Sequence, residues 1–310
     1  MNCVMDDFEI SNSHTLASEA FDLSVHSKVP VSVIIPVKNE GKNIRRCLEH
    51  VKWAEEIFLI DSQSIDETLK IADEIAVKIV QFRFNGTYPK KKNWALENLP
   101  FRNEWVLIVD ADEVIPPDLG EEIAGVLQQP NGYDGYYVNR RFFFLGRWLR
   151  HCGYYPSFNL RLFKHRLGRY EKMMAGGAGD NEVHEHVILS GKAGYLGHDM
   201  LHYAYPDIAT WVEKHNRYSN WEGELRERFR SGSREWNDRL GEPRLRFKRW
   251  LKKVSWRIPF RFIPRFLYAY IWKKGFLDGK PGFIFCVLLS FYDFLSWAKA
   301  YEQETPRKNS

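Results

Sequence analysis

Over the first two hundred positions the apolar residues come in short continuous runs, separated by polar stretches with helical or turn character. Val29 to Val37, Glu56 to Ile60, Ala76 to Phe82 and Trp105 to Val109 are short and rich in β-branched residues. They predict strands buried on both faces, as in a parallel sheet. Pro36 stands at the end of its run, where a strand tolerates proline. Between these runs Asn43 to Val51 repeats Ile44, Leu48 and Val51 at helical spacing. Ser64 with Glu67 forms a capping-box pattern that opens a helix through Leu69, Ile71 and Ala72. Lys92-Asn93 leads into a short helix over Trp94, Ala95 and Leu96. This alternation predicts βαβ units and an α/β fold with a mostly parallel, Rossmann-like sheet. Gly135 to Phe144 adds another strand.

After Trp211 the pattern changes. Trp211 to Arg230 reads as a charged helix and Ser231-Gly232-Ser233 as a hinge. From Arg244 to Leu277 there is no acidic residue, while Lys and Arg recur beside Phe, Trp, Ile and Leu. The expected division is a polar leader over 1–28, an α/β domain over 29–210 and a helical basic-aromatic segment over 211–310. The last segment suits an anionic cytoplasmic membrane leaflet. Its apolar stretch from Pro281 to Trp297 carries Asp293 and is short for a span. A surface-lying or re-entrant helix pair is expected rather than a transmembrane one; a helical lid on the α/β domain is the other reading.

Composition changes this picture only at the margins. A chain of 310 residues with 44% apolar and 27% charged residues can bury a full core. Cys3, Cys47, Cys152 and Cys286 have no metal spacing, which favours a reduced, cytoplasmic setting. No basic start followed by an apolar run marks a signal peptide. No recognition motif supports nucleic acid as a partner of the basic run.

The chemistry gathers where strands end. Asn39/Glu40, Asp61 and Asp110/Asp112 fall at one carboxyl edge, where open α/β sheets bind ligands. Asp110 and Asp112, two apart in a still-extended segment, would leave on the same side and suit Mg²⁺ or Mn²⁺. A Gly-x-Gly-x-x-Gly fingerprint and a P-loop are both missing. A nucleotide would therefore be read by side chains, and its diphosphate through a metal. The run Lys90-Lys91-Lys92 has a bland reading as a solvated face, with one lysine reserved for the site. Trp148 suits stacking on a sugar ring. Met174 to Gly179 precedes a cluster from Asp180 to His186 and fits a loop that orders over substrate. His184, His186, His198 and His202 leave a histidine-site metal hydrolase open, with His198/His202 at the i, i+4 spacing of a helical zinc motif. One of these histidines could instead join a metal held at Asp110/Asp112.

Val33 to Glu40 (VIIPVKNE), Leu59 to Thr68 (LIDSQSIDET), Lys92-Asn93 and Asp110-Ala111-Asp112-Glu113, in this order over roughly residues 30 to 210, resemble the family 2 glycosyltransferases. Phe144 to Trp148 (FLGRW), Arg161-Leu162-Phe163 and Val183-His184-Glu185 resemble the branch that assembles bacterial lipopolysaccharide cores. Gln63 departs from the family, which usually has glycine there. The resemblance implies a GT-A fold and a metal-dependent, inverting transfer of a hexose, with UDP-glucose the first-guess donor. The acceptor would be a lipid-linked or lipopolysaccharide-type glycan at the inner face of the membrane. It places Pro36, Glu40 and Asp61 around the uridine, with Asp61 accepting from the uracil. Lys92 lies toward the base or diphosphate, and Asp110 and Ala111 toward the nucleotide sugar. Asp112 ligates the metal, with Asp110 on the ribose or a metal-bound water. Glu185 is the implied base and Asp180 the second candidate; Trp148, Arg161 and His184 lie on the acceptor side. A non-catalytic sugar-nucleotide binder or membrane scaffold is the alternative.

Overall fold

The structure is a computed structural model that describes residues 28–75, 77–129, 131–171, 186–230 and 261–304. Strand β1 (Val29–Val37) is flanked by β2 (Ala54–Asp61) and β4 (Trp105–Ile108), with β3 (Lys78–Gln81) outside β2. All three pairings are parallel. The connections are α1 (Ile44–Glu49), α2 (Thr68–Glu74) and α3 (Lys91–Asn98). Strands with helical crossovers are buried on both faces, so side chains of alternating parity sort to opposite layers. Val33, Ile35, Leu59, Leu107 and Val109 pack in one apolar cluster. Ile34, Phe58, Ile60, Val106 and Ile108 pack in the other.

Beyond β4 the sheet becomes mixed. The order continues through β8 (Phe158–Lys164), β6 (Gly135–Phe144), β11 (Ala193–His202) and β5 (Glu113–Val114). Strand β8 runs antiparallel to β4 and β6, and β11 runs parallel to β6. Strand β7 (Arg147–Trp148) pairs with β6, and β9 (Gly168–Tyr170) with β10 (Val187–Leu189) in a separate ribbon. Helix α4 (Pro117–Gln128) follows β5. The expected α/β sheet is present, with its parallel half holding the first three strand ends.

Helix α5 (Ile208–Arg230) leads toward the C-terminal part. There α6 (Phe262–Leu267), a π-helical turn (Tyr268–Trp272), a 3₁₀ turn (Gly275–Asp278) and α7 (Gly279–Glu304) follow one another. A third apolar cluster joins this part to the sheet through Phe142, Phe144, Leu149, Trp211, Phe285 and Leu289. The hinge expected at 231–233 lies outside the described residues.

Two local expectations are corrected. Ser64 does not cap α2. Its hydroxyl donates to Asp61 Oδ1 at 2.5 Å and accepts from the Asn39 amide at 2.8 Å, and Asp66 Oδ1 accepts from the Thr68 amide at 3.1 Å instead. Asp66 lies nearer the first turn, so the orphan amide finds it first. The lysine run is not a solvated face either: Lys90 and Lys91 are buried, and Lys91 Nζ donates to the Val37 carbonyl at 2.9 Å.

The departure at Gln63 has a visible consequence. Its φ of 60° lies in the left-handed region, which costs a side-chain-bearing residue about 1–2 kcal/mol. Gln63→Gly removes that strain but adds about 0.5–1 kcal/mol of unfolded-state entropy. A variant equal to or up to about 1 kcal/mol more stable than the parent is expected in denaturant unfolding. A clear loss of stability would show that the glutamine side chain supports the turn.

Candidate active site

The loops after β1 and β2 are stapled to each other. Asn39, with φ of 56°, accepts from the Ile65 amide at 2.9 Å through its side chain, and its own amide reaches Ser64. The Glu40 amide donates to Thr68 Oγ1 at 2.8 Å, and the Gly41 amide to Asp66 Oδ2 at 2.9 Å. Pro36 pairs in register with Ile60. The β1–β4 pairing ends at Ile34, so the missing Pro36 N–H leaves no ladder bond unmade.

Asp61 is fully buried. Its carboxylate accepts from the Ser64 amide and hydroxyl and from Gln81 Nε2 at 2.9 Å. A carboxylate has about four acceptor positions, and three donors, two from Ser64 and one from Gln81 at the end of β3, take up most of them. Asp61 therefore shapes this loop, and a bond to a base would use the acceptor capacity that Ser64 and Gln81 leave. Glu40 stands at the mouth of the same edge, with Asn43 Nδ2 donating to Oε2 at 2.8 Å. Burial raises its pKa, and the nearby charges of Asp112 and Asp110 add to the rise against Asn43 and Lys214.

The acidic stretch after β4 is a turn rather than an extended segment, closed by the Glu113 amide on the Asp110 carbonyl at 2.8 Å. The two aspartates consequently part company. Asp110 Oδ1 receives Lys92 Nζ at 2.8 Å, and Oδ2 receives Arg161 Nη2 at 2.8 Å. The same guanidinium reaches Glu113 Oε1 at 2.5 Å, and Glu113 Oε2 accepts from the Asp110 amide at 2.9 Å. Burial opposes ionisation of Asp110, but Arg161 and Lys92 hold its carboxyl well below the usual range. Each oxygen of Asp110 thus has a cationic partner in this structure. Arg161, expected on the acceptor side, is buried and joins Asp110 to Glu113 beneath the turn. The Ala111 side chain packs in the core, which leaves only its backbone to meet a ligand.

Asp112 turns toward β11, where His202 Nε2 lies 3.5 Å from its Oδ1. The backbone fixes this meeting: the Tyr203 amide donates to the Asp112 carbonyl at 2.8 Å, and His202 pairs in register with Glu113. Burial works against the Asp112 charge, yet His202 and Lys214 keep its carboxyl below the usual value. Sequence reasoning named His202 only as one of several histidines, because sequence does not show that β11 ends beside the turn. Lys214, on α5 and donating to the Ala204 carbonyl at 3.3 Å, was missed for the same reason.

Residues 32–178 match the glycosyl transferase family 2 profile. The chain carries a family 2 glycosyltransferase domain. An uncharacterized glycosyltransferase of Rickettsia conorii is 27% identical over 90% of this chain and 92% of its own length. A lipopolysaccharide core biosynthesis glycosyltransferase of Rhizobium meliloti is 26% identical over 89% of this chain and 93% of its own length. A mannosyltransferase of Pyrobaculum calidifontis, solved in complex with GDP-Man and Mn²⁺, is 15% identical with a TM-score of 0.49, covering 90% of this chain and 89% of that one.

For the transferase, the donor set decides whether a divalent cation fits. Among the described residues no group of three or more His, Cys, Asp or Glu side chains is placed to enclose a metal. An open site is what a transferase requires, because Mg²⁺ takes one or two carboxylates and completes its shell with substrate phosphates and water. Asp112 and His202 provide such an open pair. The hydrolase reading loses its motif. His198 and His202 are on a strand, where four residues span about 13 Å, and His198 Nδ1 is engaged by Glu122 at 2.9 Å.

Trp148 is half-buried, with Arg141 and Arg150 4.9 and 4.8 Å from its ring and Tyr155 edge-on at 5.1 Å. Arg141 is itself held by Asp199 at 2.8 Å. This aromatic-cationic wall extends from β6 and β7. Asp180, His184 and Glu185 lie outside the described residues.

Proposed function

We propose that the transferase moves a hexose, glucose from UDP-glucose as first choice, onto a lipid-linked or lipopolysaccharide-type glycan at the cytoplasmic face of the inner membrane. The transfer inverts the anomeric centre and forms a β-glycosidic bond. The observation that carries the reading is the contact of Asp112 with His202 at the carboxyl edge, beside a carboxylate cluster whose other members already have cationic partners. The acceptor class is supported by the relative named for lipopolysaccharide core biosynthesis.

Asp112 and His202 are the residues that would hold Mg²⁺ or Mn²⁺. The cation would neutralise charge on the leaving diphosphate, so no protein acid is needed on that side. Asp110, its charge fixed by Lys92 and Arg161, is about a third exposed and keeps capacity to accept from a ribose hydroxyl. Pro36, Glu40 and the loop shaped by Asp61 border the nucleoside. Glu185 takes the proton from the acceptor hydroxyl as its oxygen attacks the anomeric carbon and the bond to the diphosphate breaks. Asp180 is the second candidate for this role; Trp148 and His184 border the acceptor.

Glu185→Gln is expected to keep donor binding and to lower the transfer rate by about 10²–10⁴-fold. Asp180→Asn serves as the comparison. Normal turnover by Glu185→Gln would remove Glu185 as the base. The anomeric configuration of the product, read by NMR coupling, tests inversion separately.

A further inference from the structure

The C-terminal elements present an apolar face that the rest of the fold leaves uncovered among the described residues. On α7, Phe283, Val287, Phe291, Phe294, Trp297 and Tyr301 are exposed, spaced three or four apart on one side of the helix. Between Pro281 and Tyr301 every exposed position is one of these six. A helix that simply covered a core would carry charge there. The turns before α7 extend the face with Ile271, Trp272, Phe276 and Leu277, and Trp272 is 77% exposed. A contiguous surface of this kind marks a docking site rather than ordinary exposure.

Charge identifies the occupant. Lys273, Lys274 and Lys280 are exposed beside these rings. The two carboxylates between Ile271 and Tyr301 face inward, with Glu302 exposed only at the far end of α7: Asp278 accepts from the His151 amide and ring, and Asp293 from Arg261 at 2.6 Å. The sequence from Pro243 to Leu277 holds no acidic residue at all. Exposed aromatics rimmed by lysines, with both carboxylates between them turned away, complement an anionic lipid interface.

We infer that α7 and the turns before it lie in the plane of an anionic bilayer surface, with the aromatic face in the headgroup region and the opposite face on the catalytic domain. Gly275–Glu302 is long and apolar enough to cross a membrane, but its other side excludes that. Phe285 and Leu289 are buried against the sheet, Tyr292 hydrogen-bonds Glu222 of α5 at 2.5 Å, and Lys299 Nζ reaches Asn216 Oδ1 at 2.6 Å. A spanning α7 would carry the charged α5 and the Arg261–Asp293 pair into hydrocarbon, at high cost. The membrane face also adjoins the site. Phe285 contacts Phe142 at 5.2 Å, and Phe142 contacts the His202 ring at 5.6 Å, so two aromatic rings separate the docking helix from the candidate metal pair.

The test is co-sedimentation of the full chain with phosphatidylcholine vesicles, with and without phosphatidylglycerol. Binding to the anionic vesicles, release by high salt or alkaline carbonate, and at least a tenfold loss of partitioning in Trp272→Ser/Phe276→Ser are expected. Lys273→Glu/Lys274→Glu should abolish the preference for phosphatidylglycerol. These side chains are exposed, so both variants should keep the parent melting temperature and its response to donor nucleotide. Loss of vesicle binding is thereby separable from failure of the donor site. Failure to bind either vesicle would overturn the inference, as would resistance to carbonate with release only by detergent. A concentration-dependent dimer abolished by the same serine substitutions would assign the face to a second copy and overturn it equally.

Discussion

Asp112→Asn is expected to lower turnover by about 10²–10³-fold, the size of effect seen when one charge-stabilising group is removed from a reaction centre, with the fold intact. The amide keeps the size of the carboxylate but gives up the negative oxygen that faces His202 at 3.5 Å. The backbone bond from the Tyr203 amide to the Asp112 carbonyl is untouched, so β11 stays in place. Melting temperature and circular dichroism should match the parent, while nucleotide binding loses its dependence on divalent cation. Near-normal turnover would assign the metal elsewhere and leave the Asp112–His202 contact as a structural pair.

The largest stability effect is expected at Arg161. Arg161→Met keeps much of the buried volume and strips the cation from Asp110 and Glu113, the latter fully buried. Breaking a buried pair by removing one partner costs about 3–5 kcal/mol, and the loss here falls toward the lower end because Lys92 stays on Asp110 and Arg140 Nη1 lies 3.5 Å from Glu113 Oε1. The loss should depend on pH in a defined direction. Asp110 titrates well below an unfolded aspartate in the native state, so its contribution is complete above the unfolded pKa of about 3.9 and is lost as pH falls through the native value. In the variant that depression is reduced to what Lys92 sustains, so protonation of Asp110 costs the variant less than the parent. The stability gap between parent and variant, read by denaturant unfolding, should therefore hold from pH 7.5 to about 5 and narrow as pH falls through about 4 and below. A gap that is small at neutral pH, or constant with pH, would contradict the ion-pair account.

What the sequence disclosed and what it withheld follow from the range of the interactions involved. The run from Val29 to Val37 is a strand with those bounds because its β-branched residues are buried on both faces. The Gly135 to Phe144 strand is equally legible. The position of the acidic motif at the sheet edge was also readable, since strand order follows from alternation with helices. The partners of its carboxylates were not. Lys92 is eighteen residues from Asp110, Arg161 fifty-one, and His202 ninety from Asp112. No local pattern encodes which of them arrives. The capping-box pattern at Ser64 was misleading because a competing acceptor, Asp61, stands three residues before it, and tertiary contact with Asn39 takes the hydroxyl's other side. In the C-terminal part, basic-aromatic composition pointed to an interface; only the fold shows which face of α7 is left for it.

We propose a divalent-cation-dependent nucleotide-sugar site at the Asp112–His202 edge. It is tested most directly by the melting temperature of the purified chain against a panel of nucleoside diphosphates and their sugars, with and without Mn²⁺. A ligand at a hundred times its dissociation constant adds about 2.7 kcal/mol to native stability. The account predicts a rise of several degrees with UDP or a UDP-sugar that requires Mn²⁺ and is absent in Asp112→Asn. No response to any nucleotide, or a response indifferent to Mn²⁺ and to Asp112, would contradict it.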